Sequence, residues 1–198
     1  MDENSQELFE SASQGDPRAI DELLERNLPR LRAYIRLRMG PKLRGKESSA
    51  DLVQSACREV LQNIDRYRYQ GESNFRRWLF TTALRKVKNR VQYYQAEKRD
   101  IGREGSPAAS EFASVSQVYQ TLMTPSQELM RREHAELFEA RFAALPEHYR
   151  EVILLSRVVG LSHKEIAATM NRTESSTRNL LYRALAELAT AMDGGGSD

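Results

Sequence analysis

Cysteine is nearly missing from this chain: its 198 residues include one, Cys57. A single thiol excludes an intrachain disulfide and a thiolate metal cluster. Histidine is almost as scarce, and His134, His148 and His163 stand apart without the spacing of metal ligands. No apolar run reaches the ~20 residues of a membrane helix. The opening residues, MDENSQELFE, are acidic and polar, the opposite of a secretory leader. Strand signals are nearly absent. Paired carboxylates, a Gly-rich phosphate loop and a Ser/Cys–His arrangement are also lacking, so nothing supports an enzyme. GREG, Gly102 to Gly105, is too short for a phosphate cradle, and Cys57 beside Ala56 and Val60 reads as semi-buried rather than nucleophilic. With 40% hydrophobic and 29% charged residues, the expectation is a soluble, cytoplasmic globular protein without metal, cofactor or membrane segment.

Acids are scarce in one place. The net charge is only +2, yet between Arg66 and Arg99 the basic residues Arg66, Arg68, Arg76, Arg77, Arg85, Lys86, Lys88, Arg90, Lys98 and Arg99 face only Glu72 and Glu97. Such an excess attracts a polyanion, although a solvated basic helix face is the plainer account.

What is abundant is helix signal. Asp16-Pro17 opens a helix, with Pro at its first position. Ile20, Leu23, Leu24, Leu28, Leu31, Tyr34, Ile35 and Leu37 follow at helical spacing, with Pro29 as a candidate bend. GPKLRG, Gly40 to Gly45, breaks the chain. Periodicity resumes with Leu52, Val53, Ala56, Val60, Leu61 and Ile64. Gln70 to Asn74 reads as a short polar loop before a long helix. From Asp100 to about Pro125 the chain turns rich in Ser, Gly and Ala, which reads as a linker, with Val118 to Met123 as a short ordered piece inside it. Thr124-Pro125-Ser126 starts another helix, and Pro146 opens the next. The fold class is all-α: two small helical domains joined by a flexible linker. The boundaries are residues 1–99, linker 100–126, second domain 127–192 and a disordered tail 193–198.

The clearest mechanics lie in GLSHKEIAATMNRTESSTRNLLYRALAEL, Gly160 to Leu188, a helix-turn-helix pattern. Ser162 with Glu165 makes a capping box. Asn171 suits a left-handed turn position. Thr173 caps the second helix, and Glu174 favours its positive end. Leu181, Ala184, Leu185 and Leu188 point inward. Ser175, Ser176, Arg178, Asn179, Tyr182 and Arg183 form the other face, with donors and acceptors suited to a major groove. A helical hairpin with a polar surface would show the same pattern and need no DNA.

The basic segment differs in kind. RYRYQGESNFRRWLFTTALRKVKNRVQYY mixes charge with Tyr67, Tyr69, Phe75, Trp78, Phe80, Tyr93 and Tyr94. Ring faces allow unpaired bases to stack. Helical spacing assigns some rings to the core, and Trp78 reads as buried under the loop rather than stacked on a base. The loop residues Gln70, Glu72, Ser73 and Asn74 can line a pocket for an extruded base.

Three stretches in order carry a family resemblance: SADLVQSACREVLQNI, then SNFRRWLFTTALRKVKN, then LPEHYREVILLSRVVGLSHKEIAATMNRTESSTRNLLYRAL. They resemble the bacterial sigma-70 family, and the compact layout is similar to its extracytoplasmic-function (ECF) class. The resemblance implies a non-enzymatic initiation factor. Its partners would be core RNA polymerase, at the clamp and the flap, and promoter DNA, with an anti-sigma factor or a Ser/Thr kinase as regulator. Asp51, Leu52, Gln54, Ser55 and Arg58 would meet the clamp. Asp51, Gln54 and Arg58 share one stripe of their helix, opposite Val53, Val60 and Ile64. Gln70, Gly71, Glu72, Ser73 and Asn74 would hold a flipped base of the −10 element. Arg76, Arg77, Arg85, Lys88 and Asn89 would follow the single strand. Ser175, Ser176, Arg178, Asn179, Tyr182 and Arg183 would read the −35 duplex.

The chain departs from the family pattern at three points. Ser48, followed by Ser49, stands where the pattern has an acid at the clamp-binding helix, with Glu47 one position early. Arg85 replaces an asparagine, favouring backbone over base contact. Leu180 replaces a basic residue of the recognition helix. The first departure suggests a phosphosite at Ser48 or Ser49, since phosphate adds roughly −1.5 to −2 charge where a helix N-terminus welcomes it. The plainer account is that Ser48 is an N-cap answered by Asp51. The rival function is a duplex-binding helix-turn-helix regulator without sigma activity. It leaves DLVQSACREV and the aromatic-basic segment unaccounted for.

Overall fold

The computed structural model describes residues 3–67, 72–96, 118–119 and 132–193. They are helical or in turns, with no strand among them, so the all-α expectation holds. The chain divides into two compact units, residues 1–39 and 43–107 in one, 40–42 and 108–198 in the other.

The N-terminal unit holds four α-helices among its described residues: α1 (Glu3–Ser13), α2 (Pro17–Arg44), α3 (Ser49–Leu61) and α4 (Glu72–Ala96). In the acidic N-terminus α1 forms with Phe9 and Ala12 buried. Phe9 meets Tyr67 and Phe75 edge-on, with centroids 5.3 and 5.5 Å away. Asp16 starts α2 as expected, its carboxylate accepting from the Arg18 N–H at 3.0 Å. Pro29 does not end that helix. An interior proline costs ~3 kcal/mol, but Leu23, Leu31, Tyr34, Ile35 and Leu37 bury on either side of it, each contributing about 1.5–3 kcal/mol. The break falls instead at Gly40, with φ 65° and ψ 169°, a conformation glycine adopts without a Cβ clash. Leu52, Val53, Ala56, Cys57 and Val60 line the buried stripe of α3. They pack on α4, whose Phe75, Leu79, Phe80, Ala83 and Val87 are buried.

One sequence expectation shifts here. Helix α4 begins at Glu72, so Glu72, Ser73 and Asn74 form its first turn rather than a loop. The reason is that Phe75 and Leu79 need helical register to reach the core. Gln70 and Gly71 lie outside the described residues, as do Tyr69 and the predicted start at Thr124 to Ser126.

In the C-terminal unit, α5 (Arg132–Ala144) and α6 (Glu147–Ile153) precede a π-helical continuation, Leu154–Val159. Gly160 ends it at φ 76°. Helices α7 (His163–Met170) and α8 (Glu174–Asp193) complete the unit. The core is Phe138, Phe142, Val152, Ile153, Leu154, Val158, Ile166, Leu181, Ala184 and Leu188. Val118 and Tyr119, inside the expected linker, are buried too. The Tyr119 phenol donates to Glu139 Oε1 at 2.6 Å, and its ring packs 4.9 Å from Phe138.

Candidate polymerase and nucleic-acid interfaces

Ser48 is the N-cap of α3, and its Oγ accepts from the Asp51 N–H at 3.4 Å. The cap fixes which way the first turn faces. Asp51, Gln54 and Arg58 emerge together on the exposed side, with Ser55 half-buried. Leu52 does not join them: at 3% exposure it anchors α3 to the core. Its place one residue from Asp51 turns it roughly 100° away on the helix, so the surface contact expected of it is corrected to packing. Beside this stripe an open groove of about 450 Å³ is lined by Gln54, Cys57, Arg58, Leu61 and Gln62. Burial pushes the Cys57 thiol above its ordinary pKa, which makes it a poor nucleophile.

The two serines separate. Ser48 is exposed, whereas Ser49 is 5% exposed. A phosphate on Ser49 would have to enter the core, so the Ser49 half of the expected phosphosite is corrected. Glu47 is also not a free surface acid. Its side chain is 10% exposed, 3.3 Å from Arg90 Nε, and its Oε2 accepts from the Tyr94 phenol at 2.9 Å. That bond raises the Tyr94 pKa. The acid one position early is therefore spent on holding α4.

Along α4, Arg85, Lys88, Asn89 and Arg90 are exposed, and Arg76 and Arg77 are half-buried. Arg76 Nη1 lies 3.1 Å from Glu72 Oε1. Arg85 and Lys86 both bond to Glu59 of α3, Lys86 at 2.6 Å. Glu59 escaped the sequence reading. Its one available signal was spacing: it is an acid on α3, lying between the exposed and the buried stripe. Trp78 departs from expectation. It is half-buried rather than covered, and stacks on Tyr67 with centroids 4.6 Å apart and planes 9° from parallel. Tyr67 supplies a ring partner outside the helix, so Trp78 needs no complete burial.

The helix-turn-helix forms as its caps dictate. Ser162 and Glu165 exchange the bonds of the capping box, at 3.3 and 2.8 Å. Asn171 takes the left-handed conformation, φ 53° and ψ 52°. Thr173 Oγ1 accepts from the Ser176 N–H at 3.2 Å. Ser175, Arg178, Asn179, Tyr182 and Arg183 are exposed, with Ser176 half-buried. Tyr182 is 77% exposed, an unusual fate for a large aromatic without a partner. Arg172 joins Ser175, Ser176, Asn179 and Arg183 around one groove of about 360 Å³. The sequence reading missed Arg172; its signal was the place directly after the left-handed Asn171. Leu180 also lines that groove, 8% exposed, and its apolar side chain offers no hydrogen bond there.

Among the described residues no group of three or more His, Cys, Asp or Glu side chains gathers as a cation site. Among the described residues no helix is long and apolar enough to cross a membrane.

Residues 23–97 match the family model for sigma-70 region 2, and residues 135–188 match that for sigma-70, region 4. The ECF RNA polymerase sigma factor SigD of Mycobacterium tuberculosis is 29% identical over 174 residues, 88% of this chain and 77% of that protein. The ECF RNA polymerase sigma-E factor of Escherichia coli K12 is 26% identical over 180 residues, 90% of this chain and 89% of that protein. The solved structure of CnrH in complex with the cytosolic domain of CnrY matches with a TM-score of 0.55 at 22% identity, over 96% of this chain and 97% of that one. With both regions present in order and ECF factors as its relatives, the chain belongs to the sigma-70 family of RNA polymerase sigma factors, in the ECF class.

Proposed function

We propose that this chain binds core RNA polymerase and directs promoter-specific initiation in the cytoplasm, without catalytic chemistry of its own. Residues 1–99 meet the clamp through Asp51, Gln54 and Arg58, and take the opened −10 strand along Arg76, Arg77, Arg85, Lys88 and Asn89. Residues 127–192 read the −35 duplex through Ser175, Ser176, Arg178, Asn179, Tyr182 and Arg183. The observation that carries this reading is the division of labour. One unit pairs a basic helix with exposed or half-buried rings, which suits single strands. The other presents a capped recognition helix with a polar outer face, which suits a major groove. Opening DNA costs roughly 1–2 kcal/mol of stacking per step, so an initiation factor must hold the bases it exposes.

Regulation by a Ser/Thr kinase at Ser48 extends the proposal. Ser48 is exposed at the N-cap, and the neighbouring Glu47 is engaged by Arg90 and Tyr94. A phosphate there restores the missing surface charge. An anti-sigma factor is the other expected regulator; the related CnrH was solved in complex with the cytosolic domain of CnrY.

Transcription in vitro with cognate core polymerase tests the main reading. Promoter-specific transcripts should depend on this chain. Tight duplex binding without initiation would instead favour a helix-turn-helix regulator. For Ser48, wild type, Ser48→Ala and Ser48→Glu are compared for core affinity. Only the Glu variant should bind more tightly, and equal affinity for all three would sink the switch.

A further inference from the structure

The C-terminal unit gathers residues from 108 onward, well ahead of residue 127, where the sequence alone places the start of that domain. Val118 and Tyr119 are buried within it. The Tyr119 phenol donates to Glu139 Oε1 at 2.6 Å, and Glu139 is itself buried. A hydroxyl bonded to a carboxylate is among the shorter and stronger hydrogen bonds. The Tyr119 ring lies 4.9 Å from Phe138, which stands 6.0 Å from Phe142. Phe138, Glu139 and Phe142 all belong to α5. A packing account exists: the ring covers one side of Phe138. Joining two domains, however, calls for no buried residue, since connecting segments run over the surface. Here two residues of the connecting stretch are fixed to one of the units it connects.

We propose that Tyr119 anchors the linker and so sets the chain length available between the two DNA-reading units, which makes it a positioning residue for promoter spacing. The proposal rests on the reading that one unit takes the −10 strand and the other the −35 duplex. Without the anchor, 35 residues separate Ala96 at the end of α4 from Arg132 at the start of α5. With it, 21 residues separate Ala96 from Val118. A chain spans at most ~3.3–3.6 Å per residue, so anchoring cuts the farthest reach from roughly 120 Å to roughly 75 Å. Duplex DNA rises ~3.4 Å per base pair, so this is the difference between about 36 and about 22 base pairs. The 12 residues 120–131 then begin and end on the same unit and add nothing to the reach between units. A shorter tether also favours joint binding. Effective concentration falls roughly as the −3/2 power of tether length, so the anchored chain gains about twofold.

The test separates the anchor from simple chain length. In one variant a Gly/Ser insert of about 12 residues goes after Gly105, ahead of the anchor. In a second variant the same insert goes after Ser126, behind it. Neither removes the Tyr119–Glu139 bond, and lengthening a connection costs little entropy. Each full chain is assembled with cognate core RNA polymerase. It then transcribes a promoter series in which base pairs are added between the −35 and −10 elements. The insert after Gly105 should lower output at the best spacing about twofold and extend transcription to longer spacings. The insert after Ser126 should leave the wild-type profile unchanged. In a Tyr119→Ala background the insert after Ser126 should act like the one after Gly105, with melting curves to monitor folding. If that background fails to fold, the two inserts in the wild-type chain decide alone. Identical profiles from both inserts, shifted or unshifted, overturn the anchor while the sigma reading stands. Absence of any promoter-specific transcript from the wild type at every spacing removes both readings.

Discussion

Tyr119→Phe removes one oxygen atom from the C-terminal unit and leaves the shape of its core intact. Tyr119 and Glu139 are 0% and 2% exposed, and the phenol donates to the carboxylate at 2.6 Å. The ring contact with Phe138 survives the substitution. What goes is a hydrogen bond to an acid group in the core, a class that contributes about 1.5–3 kcal/mol. In a unit of this size each kcal/mol moves the melting midpoint by roughly 4–8 °C, so a loss of ~2 kcal/mol lowers it by roughly 8–16 °C. The full chain is melted with two probes. Far-UV circular dichroism follows both units. Emission from Trp78, the single tryptophan, follows the N-terminal one. The dichroism transition of the C-terminal unit should fall while the Trp78 transition stays in place. A variant that melts like wild type refutes the reasoning, because Val118–Tyr119 would then be decoration rather than core. An equal fall in the Trp78 transition refutes it differently, by showing that the bond's effect is not local.

Three further outcomes follow from the same geometry. Ser162→Ala deletes the capping box at α7 and should cost about 1 kcal/mol in denaturant unfolding of the C-terminal unit; an unchanged midpoint would show that the cap is idle. Asn179→Ala should weaken binding of the cognate −35 duplex by about 1–3 kcal/mol and relax preference at one base pair. Uniform weakening across sequences would instead mark a phosphate contact. Cys57 should react slowly with iodoacetamide at neutral pH, because burial raises its pKa and lowers the thiolate fraction. The rate should rise when urea unfolds the chain or when pH climbs toward the raised value, and equal rates in native and unfolded protein would contradict the burial.

Legibility was uneven, and the unevenness has a pattern. The caps were readable because they are local. Ser162 with Glu165, Asn171, Thr173 and Ser48 each act within four residues, and each does what its chemistry predicted. The exposed stripe Asp51, Gln54 and Arg58 was readable for the same reason, as helical spacing sets it. Leu52 was misplaced because a motif groups residues by sequence, whereas a helix separates neighbours by ~100°. Ser49 failed the same way. Pro29 was read as a bend because propensity ignores the apolar contacts on either side of it.

By itself the sequence determined that this protein is all-α, in two parts, with one helix-turn-helix and one aromatic-basic helix. Those are properties of periodicity and capping, and they need no partner from a distant part of the chain. Tertiary structure decided the rest. It set Glu59 against Arg85 and Lys86, locked Glu47 to Arg90 and Tyr94, laid Trp78 on Tyr67, and drew Tyr119 out of the expected linker onto Glu139. Each of these joins residues on different elements. Whether an acid is free or paired, and whether a ring is covered or open, depends on what the fold brings beside it, and no local pattern encodes that.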